Sequence, residues 1–525
     1  MKIISHKSAR LVVVVMVVAA AIVVALSLQE RKSVTGYKNQ LLARGEKLSI
    51  LELIPPAVAD SSNAAPALLA LTNELHQVVA ASFLATNPPP AMHFVAPGKA
   101  MVGWKRPEIR AGGVTNSWEE LNALLASATN ALAQLQSLVT NPVLSFTIDF
   151  AQGPSLLLPH LVPVKQSADL LSAATLASLH RGDVPGAVLN LRALLALIHS
   201  TQDEPLVISQ LLRVAMTYQA FNLTWELLQS NGLTEDQLAA LQRDWAGEDF
   251  LAAGENALLM ERAMIENTLK KLRQSRRPLV TLSHAAETNT APAPTNAAWI
   301  AHVTELSKSA WQDTKELTRE AMWRYSWSYS DELKALKGGR ALIDALNQAQ
   351  AKGFFKDALR TQNAKLEQLD FGKLTRDTAS PSGSELANAD IRWFFSRSVQ
   401  SLEDFPKRLM TEEAARLTVV TVLALQRYHL RHGSYPGDLN ALVPDLLPAV
   451  PRDPVDGKPL RYQLVGKSFL LYSVGEDGVD NGGDPATGSE AGPFSWSSGH
   501  DYVWPSPATE KEIVADEQKL TFKGN

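Results

Sequence analysis

An unbroken apolar run near the N-terminus constrains this chain more than any other feature. Leu11 to Leu28 contains only Val, Ala, Leu, Ile and Met apart from Ser27, and the basic residues Lys2, Lys7 and Arg10 precede it. A run of this length can cross most of a bilayer as a helix, and a basic tail stays on the cytoplasmic side. The sequence therefore predicts a single-pass anchor in the inner membrane, with the bulk of the chain in the periplasm.

A cleaved signal peptide is the alternative interpretation of the same run. Ala25 and Ser27 are small residues at the spacing that cleavage after Ser27 requires. The apolar region is longer than that of an ordinary signal peptide, which favours an uncleaved anchor, although Arg31 and Lys32 weaken the charge asymmetry. Both interpretations place the body of the chain outside the cytoplasm.

Composition excludes several classes of function. The chain has 525 residues, no cysteine and a formal net charge of -4. The lack of cysteine excludes disulfides, thiol catalysis and cysteine-ligated metal sites. Because the sequence has no block of Lys and Arg, nucleic acid is not an expected partner. The length predicts two or three domains.

The apolar spacing predicts a mainly α-helical chain, interrupted where the sequence cannot continue a helix. Pro55-Pro56 and the Pro-rich stretch that follows Asn87 are such interruptions, as is the Pro/Ala/Thr/Asn segment near 285–298. We expect four parts: a tail and anchor at 1–32, a helical stalk and connector at 33–117, a helical-hairpin body at 118–400, and a terminal module at 405–525.

The segment from Ala168 to Ser200 predicts two helices joined by a short turn. Apolar residues recur at helical spacing on both sides of Gly182, which stands at a C-cap position, and Pro185 stands in the first turn of the second helix. The hairpin weakly resembles a tetratricopeptide unit, but no second copy occurs at a fixed period. Further helices are predicted at 204–230, 234–245 and 248–275, and from Trp299 to about Leu369.

The last fifth of the chain changes character. Residues 411–431 are apolar on nearly every face of a helix, which predicts burial between a sheet and the helical body. The following segment alternates between apolar and polar residues, with Leu460, Tyr462 and Leu464 on one face. It turns at Gly466-Lys467, so it predicts a β-hairpin.

Three ordered segments of this region resemble the globular domain of the major pseudopilin of type II secretion systems. They read RYHLRHGSYPGDLNAL, LPAVPRDPVDGKPLRY and FLLYSVGEDGVDNGGD. The resemblance implies an α+β module in which a long helix packs on a small antiparallel sheet. Val455-Asp456 replaces the family's Trp-containing turn, and the N-terminus lacks the signature that allows pilins to form filaments. A filament-subunit function is therefore not implied.

The resemblance also implies a calcium site, because in that family the loop after the second strand binds this ion. The equivalent oxygen-bearing residues are Ser473, Asp477, Asp480, Asp484 and Asp501. Calcium takes six to eight oxygen ligands, and a Gly/Asp-rich loop can bend to supply several of them. A solvated acidic loop without a cation is the alternative.

Two other groups of residues have a functional and a structural interpretation. His429 and His432 are three residues apart near a helix end and could share a metal, but the local sequence offers no third ligand. Trp323 and Trp327 could stack on a glycan or lie at a membrane interface, whereas aromatic pairs at this spacing more often belong to a core. No catalytic motif occurs in the sequence, so no catalytic residue is assigned and no enzyme activity is predicted.

The functional hypothesis is a non-enzymatic envelope scaffold that presents the pseudopilin-like module to other envelope proteins, in a secretion or pilus-like assembly. The alternative is an envelope hydrolase or ligand-binding protein with its site in the helical body. A pocket with convergent carboxylates in the body would favour the alternative.

Overall fold

The computed structural model describes residues 6–275, 322–371, 394–485 and 500–523, except 57, 81, 86–88, 90, 112–113, 141–142 and 476. The linker predicted near 285–298 and the helical pattern predicted from Trp299 to 321 lie outside the described residues. Helices dominate the described part, and short strands form three small sheets.

The helices fall into an N-terminal, a central and a C-terminal set. The N-terminal set is α1 (His6–Ala43), α2 (Ile50–Leu53), α3 (Ala65–Ala70), α4 (Thr72–Leu75), α5 (Trp118–Ser127) and α6 (Thr129–Gln136). The central set is α7 (Leu161–His180), α8 (Val184–Ser200), α9 (Val207–Leu228), α10 (Glu235–Ala246) and α11 (Phe250–Gln274). The C-terminal set is α12 (Ser328–Lys352), α13 (Lys356–Gln368), α14 (Phe394–Gln400), α15 (Phe405–His432) and α16 (Glu510–Lys523).

The strands are short, and one sheet joins distant parts of the chain. They are β1 (His93–Ala96), β2 (Lys99–Met101), β3 (Ile109–Ala111), β4 (Val114–Asn116), β5 (Arg461–Val465), β6 (Ser468–Ser473), β7 (Tyr502–Val503) and β8 (Ser506–Pro507). β1 and β2 are antiparallel, and β2 pairs in parallel with β8, so that Lys99 lies opposite Ser506. β3 pairs with β4, and β5, β6 and β7 form an antiparallel sheet.

The prediction of a transmembrane helix is wrong. Among the described residues, no helix combines the length and the apolar character needed to cross a membrane. The apolar run is instead the first part of the longer helix α1, which continues into a polar half that packs on the body. Ser27 is buried and donates a hydrogen bond to the carbonyl of Tyr325, and Ser330 donates to the Glu30 carboxylate at 2.5 Å.

Buried ion pairs hold the polar half of α1 against α11 and α12. The Lys38 ammonium lies between the carboxylates of Glu266, at 3.2 Å, and Glu332. Just beyond the helix, Glu46 accepts from Arg262 at 2.6 Å and also pairs with Arg340. Removing one partner of a buried ion pair costs free energy. These pairs therefore fix the polar half of α1 to the body.

The residues expected to form a stalk are divided between α1 and several short helices. Leu68 of α3 and Leu75 of α4 are buried in the same core as α7 and α8. The Pro-rich connector contains β1 and β2, which lie against α16 and β8. The described residues between 65 and 101 therefore pack on the body through buried apolar side chains.

The predicted helical hairpin is confirmed as α7 and α8. Gly182 adopts a left-handed conformation at the turn, with φ of 76°. The Asp183 carboxylate then accepts a hydrogen bond from the Gly186 N–H at 3.0 Å and caps α8. The sequence predicts both features, because a left-handed turn favours glycine and an N-cap favours aspartate.

Helix α15 is buried between the helical body and the terminal sheet, as its apolar faces predicted. Val419, Val422, Leu423 and Leu425 are all fully buried. The helix packs against α9, α10 and α11 of the body and against β6 of the terminal sheet. Gly433, with φ of 72°, ends it. The terminal module and the body thus share one core.

The predicted β-hairpin is also confirmed. Strands β5 and β6 are antiparallel, and Val465 lies opposite Ser468, which leaves Gly466 and Lys467 as the two turn residues. Gly466 has a φ of 61°, which two-residue hairpin turns require at this position.

Candidate functional site

The five residues predicted to bind calcium lie around one end of the terminal sheet, but they have different partners. Ser473 ends β6 and is buried, and its hydroxyl donates to the Asp453 carboxylate at 2.7 Å. Asp501 directly precedes β7, and its carboxylate accepts from the N–H groups of Asn481 at 3.0 Å and Gly483 at 2.7 Å. Asp501 therefore folds the loop back onto the sheet.

The other three acids are on the loop itself. Asp477 accepts from the Val479 N–H at 2.9 Å, which is a local turn contact. Asp480 accepts from the Tyr472 hydroxyl at 3.0 Å and from its own loop at the Gly482 N–H. The Gly482 hydrogen bond is the main cause that lowers the pKa of Asp480. The Asp484 side chain is 63% exposed.

A guanidinium that sequence analysis did not identify occupies the middle of this acidic region. Arg461 lies 2.5 Å from Asp453, 2.7 Å from Asp456 and 3.2 Å from Asp480, measured between nitrogen and oxygen atoms. Burial raises the pKa of the Asp453 carboxyl, whereas the hydrogen bonds from Ser473 and the backbone act against this shift. The sequence signal for this cluster was a single arginine, Arg461, at the start of β5 and close to the Asp-rich turn.

The fit of a calcium ion can be judged from these contacts. Within the described ranges, no group of three or more His, Asp or Glu side chains is arranged to hold a metal. Asp480 already pairs with Arg461, whereas Asp477 and Asp484 reach solvent. The second oxygen of Asp501, Oδ1, is buried and accepts no hydrogen bond from the described residues. Asp501 Oδ1 is thus a buried carboxylate oxygen without a described hydrogen-bond partner, and calcium binding stays a prediction.

The turn before β5 connects this loop to the helical body. The N–H groups of Phe355 and Lys356 donate to the carbonyls of Pro454, at 2.9 Å, and Val455, at 3.1 Å. Val455 is fully buried in the core formed by α11, α12 and α15. Val455 thus fills this core at the point where the turn caps α13.

A second polar cluster, also missed by sequence analysis, joins the β1–β2 hairpin to α16. The Arg106 guanidinium lies 3.0 Å from Glu510 and 3.0 Å from Glu517. Lys99 pairs with Glu512 in the same interface. In each of these ion pairs the two residues are more than four hundred positions apart in sequence, so no local pattern indicates them.

A buried carboxylate holds both ends of this hairpin. Glu226 of α9 accepts from the N–H of Met92 at 2.7 Å and from the N–H of Gly103 at 2.8 Å. Its own carbonyl accepts from the Trp104 indole at 3.1 Å. Burial raises the pKa of the Glu226 carboxyl to about 7, although these backbone hydrogen bonds and Lys105 oppose the shift. Glu226 is a structural clamp for the hairpin.

A small pocket between α11 and α12 is lined by carboxylates. Glu261, Glu266 and Glu332 all contribute to its wall. Lys38 pairs with Glu266 and Glu332, and Arg273 lies 2.5 Å from Glu332. Burial raises the pKa of Glu261, whose carboxylate accepts from the Val207 N–H. Most of this charge is thus already compensated within the protein.

The histidine pair and the tryptophan pair singled out in the sequence both pack against other side chains. His429 stacks on Tyr435 with ring centroids 4.5 Å apart, whereas His432 lies 4.1 Å from the Tyr428 ring. The two imidazoles therefore contact different aromatic partners. Trp323 is buried, and Trp327 packs against the same core.

No known family matches this chain, and neither a curated protein nor a solved structure is significantly similar to it.

Proposed function

We propose that this chain is an interaction scaffold of the cell envelope, and that the edge of its terminal sheet is the contact surface. The observation that carries the proposal is the position of β5. This strand pairs with β6 on one side, and no other strand pairs with it within the described residues. Its residues Gln463, Leu464 and Val465 are exposed. An exposed edge with apolar side chains can accept an extended segment of a partner as a further strand.

The aromatic layer beneath β5 supports this role because it makes the edge rigid. The Tyr462 hydroxyl donates to the Pro436 carbonyl at 2.7 Å. The Phe469 ring lies 4.9 Å from the Tyr435 ring and 6.1 Å from the Tyr462 ring. A rigid edge loses little conformational entropy when it binds.

The kind of assembly rests on the resemblance of this region to a pseudopilin head. We propose a secretion or pilus-like complex as the setting, with an extended segment of an envelope protein as the direct partner. The body would then hold the module in place, since α15 is common to both.

Site-specific photo-cross-linking tests this proposal. A photoreactive phenylalanine analogue at Leu464 should give discrete adducts with secretion or pilus proteins in living cells. The same analogue at Lys165, on the exposed side of α7, is the matched control and should give none of them. A protein that is expressed and folded but forms no adduct from Leu464 would contradict the proposal.

The alternative, a hydrolase or ligand-binding protein, would use the pocket between α11 and α12. Its three carboxylates converge, which is the feature expected of such a site. Lys38 and Arg273 neutralise two of them, however, and Lys38 also ties α1 to the body. We therefore favour a structural role for this pocket.

A further inference from the structure

The contact between the β1–β2 hairpin and α16 has an unusual division of charge. Lys99 and Arg106 supply the cations, and Glu510, Glu512 and Glu517 of the helix supply the anions. His93 adds a contact of 3.3 Å to Asp516, which becomes an ion pair when the imidazole is protonated. One side of the interface is thus basic and the other acidic.

The described side chains of α16 contact the hairpin region mainly through charged groups. Ile513 is the buried apolar side chain that the helix contributes to the described contact, whereas Val514 is 42% exposed. The Glu510 side chain is 72% exposed and the Glu517 side chain 36%. Salt screens ion pairs that water reaches, so the contact of α16 with the hairpin region should weaken as the salt concentration rises.

The chain just before α16 is fixed, so that release of the helix need not disturb the fold. The Trp225 indole donates to the Pro505 carbonyl at 2.9 Å. The Ala508 N–H then donates to the Ala100 carbonyl at 2.8 Å, at the end of the pairing between β2 and β8. The free segment begins after Ala508.

The basic surface is held in shape by contacts that do not involve α16. Glu226 binds the N–H groups at both ends of the hairpin, as described above. The His180 imidazole donates to the Trp104 carbonyl at 2.8 Å, and the Trp118 indole donates to the Arg106 carbonyl at 2.9 Å. The backbone near Lys99 and Arg106 would thus keep its shape without the helix.

We propose that the surface formed by His93, Lys99 and Arg106 is a docking site for an acidic helix of another protein, which α16 occupies as an intramolecular competitor. The partner is a helix with carboxylates at the spacing of Glu510, Glu512, Asp516 and Glu517. This proposal is independent of the sheet-edge contact, because the two surfaces involve different strands.

A binding assay with the full chain tests the competition. The variant Glu510→Gln, Glu512→Gln, Asp516→Asn, Glu517→Gln weakens the hold of α16 without shortening the chain. The probe is a fluorescently labelled synthetic peptide with the native sequence of residues 508–523. We expect the variant to bind this peptide at least about tenfold more tightly than the unmodified chain, and binding to weaken as salt shortens the Debye length.

Substitutions on the basic surface complete the test. In the charge-neutralised background, Lys99→Gln with Arg106→Gln should abolish peptide binding, whereas Lys467→Gln at the distant β5–β6 turn should leave it unchanged. Melting curves of each protein show whether the fold is retained. Equal peptide binding by the variant and the unmodified chain, or binding that survives loss of Lys99 and Arg106, would overturn the proposal. Binding to phosphatidylglycerol vesicles without binding to the peptide would also overturn it and identify a lipid surface.

Discussion

Arg461 and Asp453 form an ion pair at the entrance to the terminal sheet, with 2.5 Å between guanidinium nitrogen and carboxylate oxygen. The same carboxylate accepts from the N–H groups of Val455 and Val474, each at 2.9 Å. One buried charge therefore joins the turn before β5 to the end of β6. Arg461 compensates the charge of Asp453, so the stability of the module should depend on this ion pair.

Replacing Arg461 with methionine should destabilise the protein strongly. The substitution leaves Asp453 buried without its counter-charge, and loss of one partner from a buried pair costs about 3–5 kcal/mol. Lys458→Met is the control, since Lys458 is 74% exposed and lies 3.7 Å from Asp456, and it should cost less than about 1 kcal/mol. Urea unfolding measures both values. Similar losses for the two variants would show that Arg461 has no special role.

The pH dependence of stability should carry the signature of Glu412. Burial raises the pKa of this α15 carboxyl to about 8 in the folded chain, above its unfolded value near 4.5. Folding therefore favours the protonated form, and stability is lost as pH rises from the unfolded to the folded pKa, by up to about 1.4 kcal/mol per pH unit.

Glu412→Gln tests this linkage because it stays neutral at every pH. The variant should match the unmodified chain near pH 4 and gain stability over it progressively towards pH 8, as followed by thermal melting. Glu119→Gln, on the exposed side of α5, should show no such trend. A constant difference between Glu412→Gln and the unmodified chain across this range would rule out the assigned ionisation.

Removal of the Glu226 clamp should loosen the β1–β2 hairpin. Glu226→Ala leaves the buried N–H groups of Met92 and Gly103 without an acceptor, which costs about 2–5 kcal/mol in total. Glu226→Gln keeps one acceptor oxygen, so its loss of stability should be smaller than that of Glu226→Ala by at least about 1 kcal/mol. Hydrogen exchange at these two amides should accelerate most in the alanine variant. Unchanged exchange there would contradict the clamp.

Calcium should raise the melting temperature if the terminal loop binds it. The full chain is the suitable sample, since α15 and β8 pack on the body. A site with an excess of calcium one hundred times its dissociation constant stabilises the protein by about 2.7 kcal/mol. Asp477→Ala with Asp484→Ala should remove this gain, and Asp445→Ala should not. Equal melting temperatures of the unmodified chain in calcium and in chelator would end the calcium hypothesis.

Local signals in the sequence were sufficient to predict several elements. Gly182 and Asp183 marked the turn between α7 and α8, and Gly466 with Lys467 marked the β-hairpin. The apolar residues on every face of α15 predicted burial between a sheet and helices. These features depend on residues that are neighbours in sequence, so periodicity and turn chemistry are enough to identify them.

The remaining features depend on partners far apart in the chain. The pairing of Lys99 with Ser506 involves strands of two or three residues, which are too short to show alternation. The role of Arg461 follows from three carboxylates that only the folded turn and loop bring together. The apolar run of α1 has the composition of a membrane helix, but composition does not reveal that the helix continues to Ala43 and packs through Lys38.

The shared core of α15 and the body has a consequence for synthesis on the ribosome. In α10, Leu238, Leu241 and Trp245 lie in the core that α15 completes. In the same way, β2 can pair with β8 only after β8 has been synthesised. Both α15 and β8 leave the ribosome long after α10 and β2, which they pack against, so the earlier helices leave the exit tunnel with an exposed apolar face. Nascent chains should therefore depend on a holding chaperone, and products of premature termination should be degraded rather than retained as partly active protein.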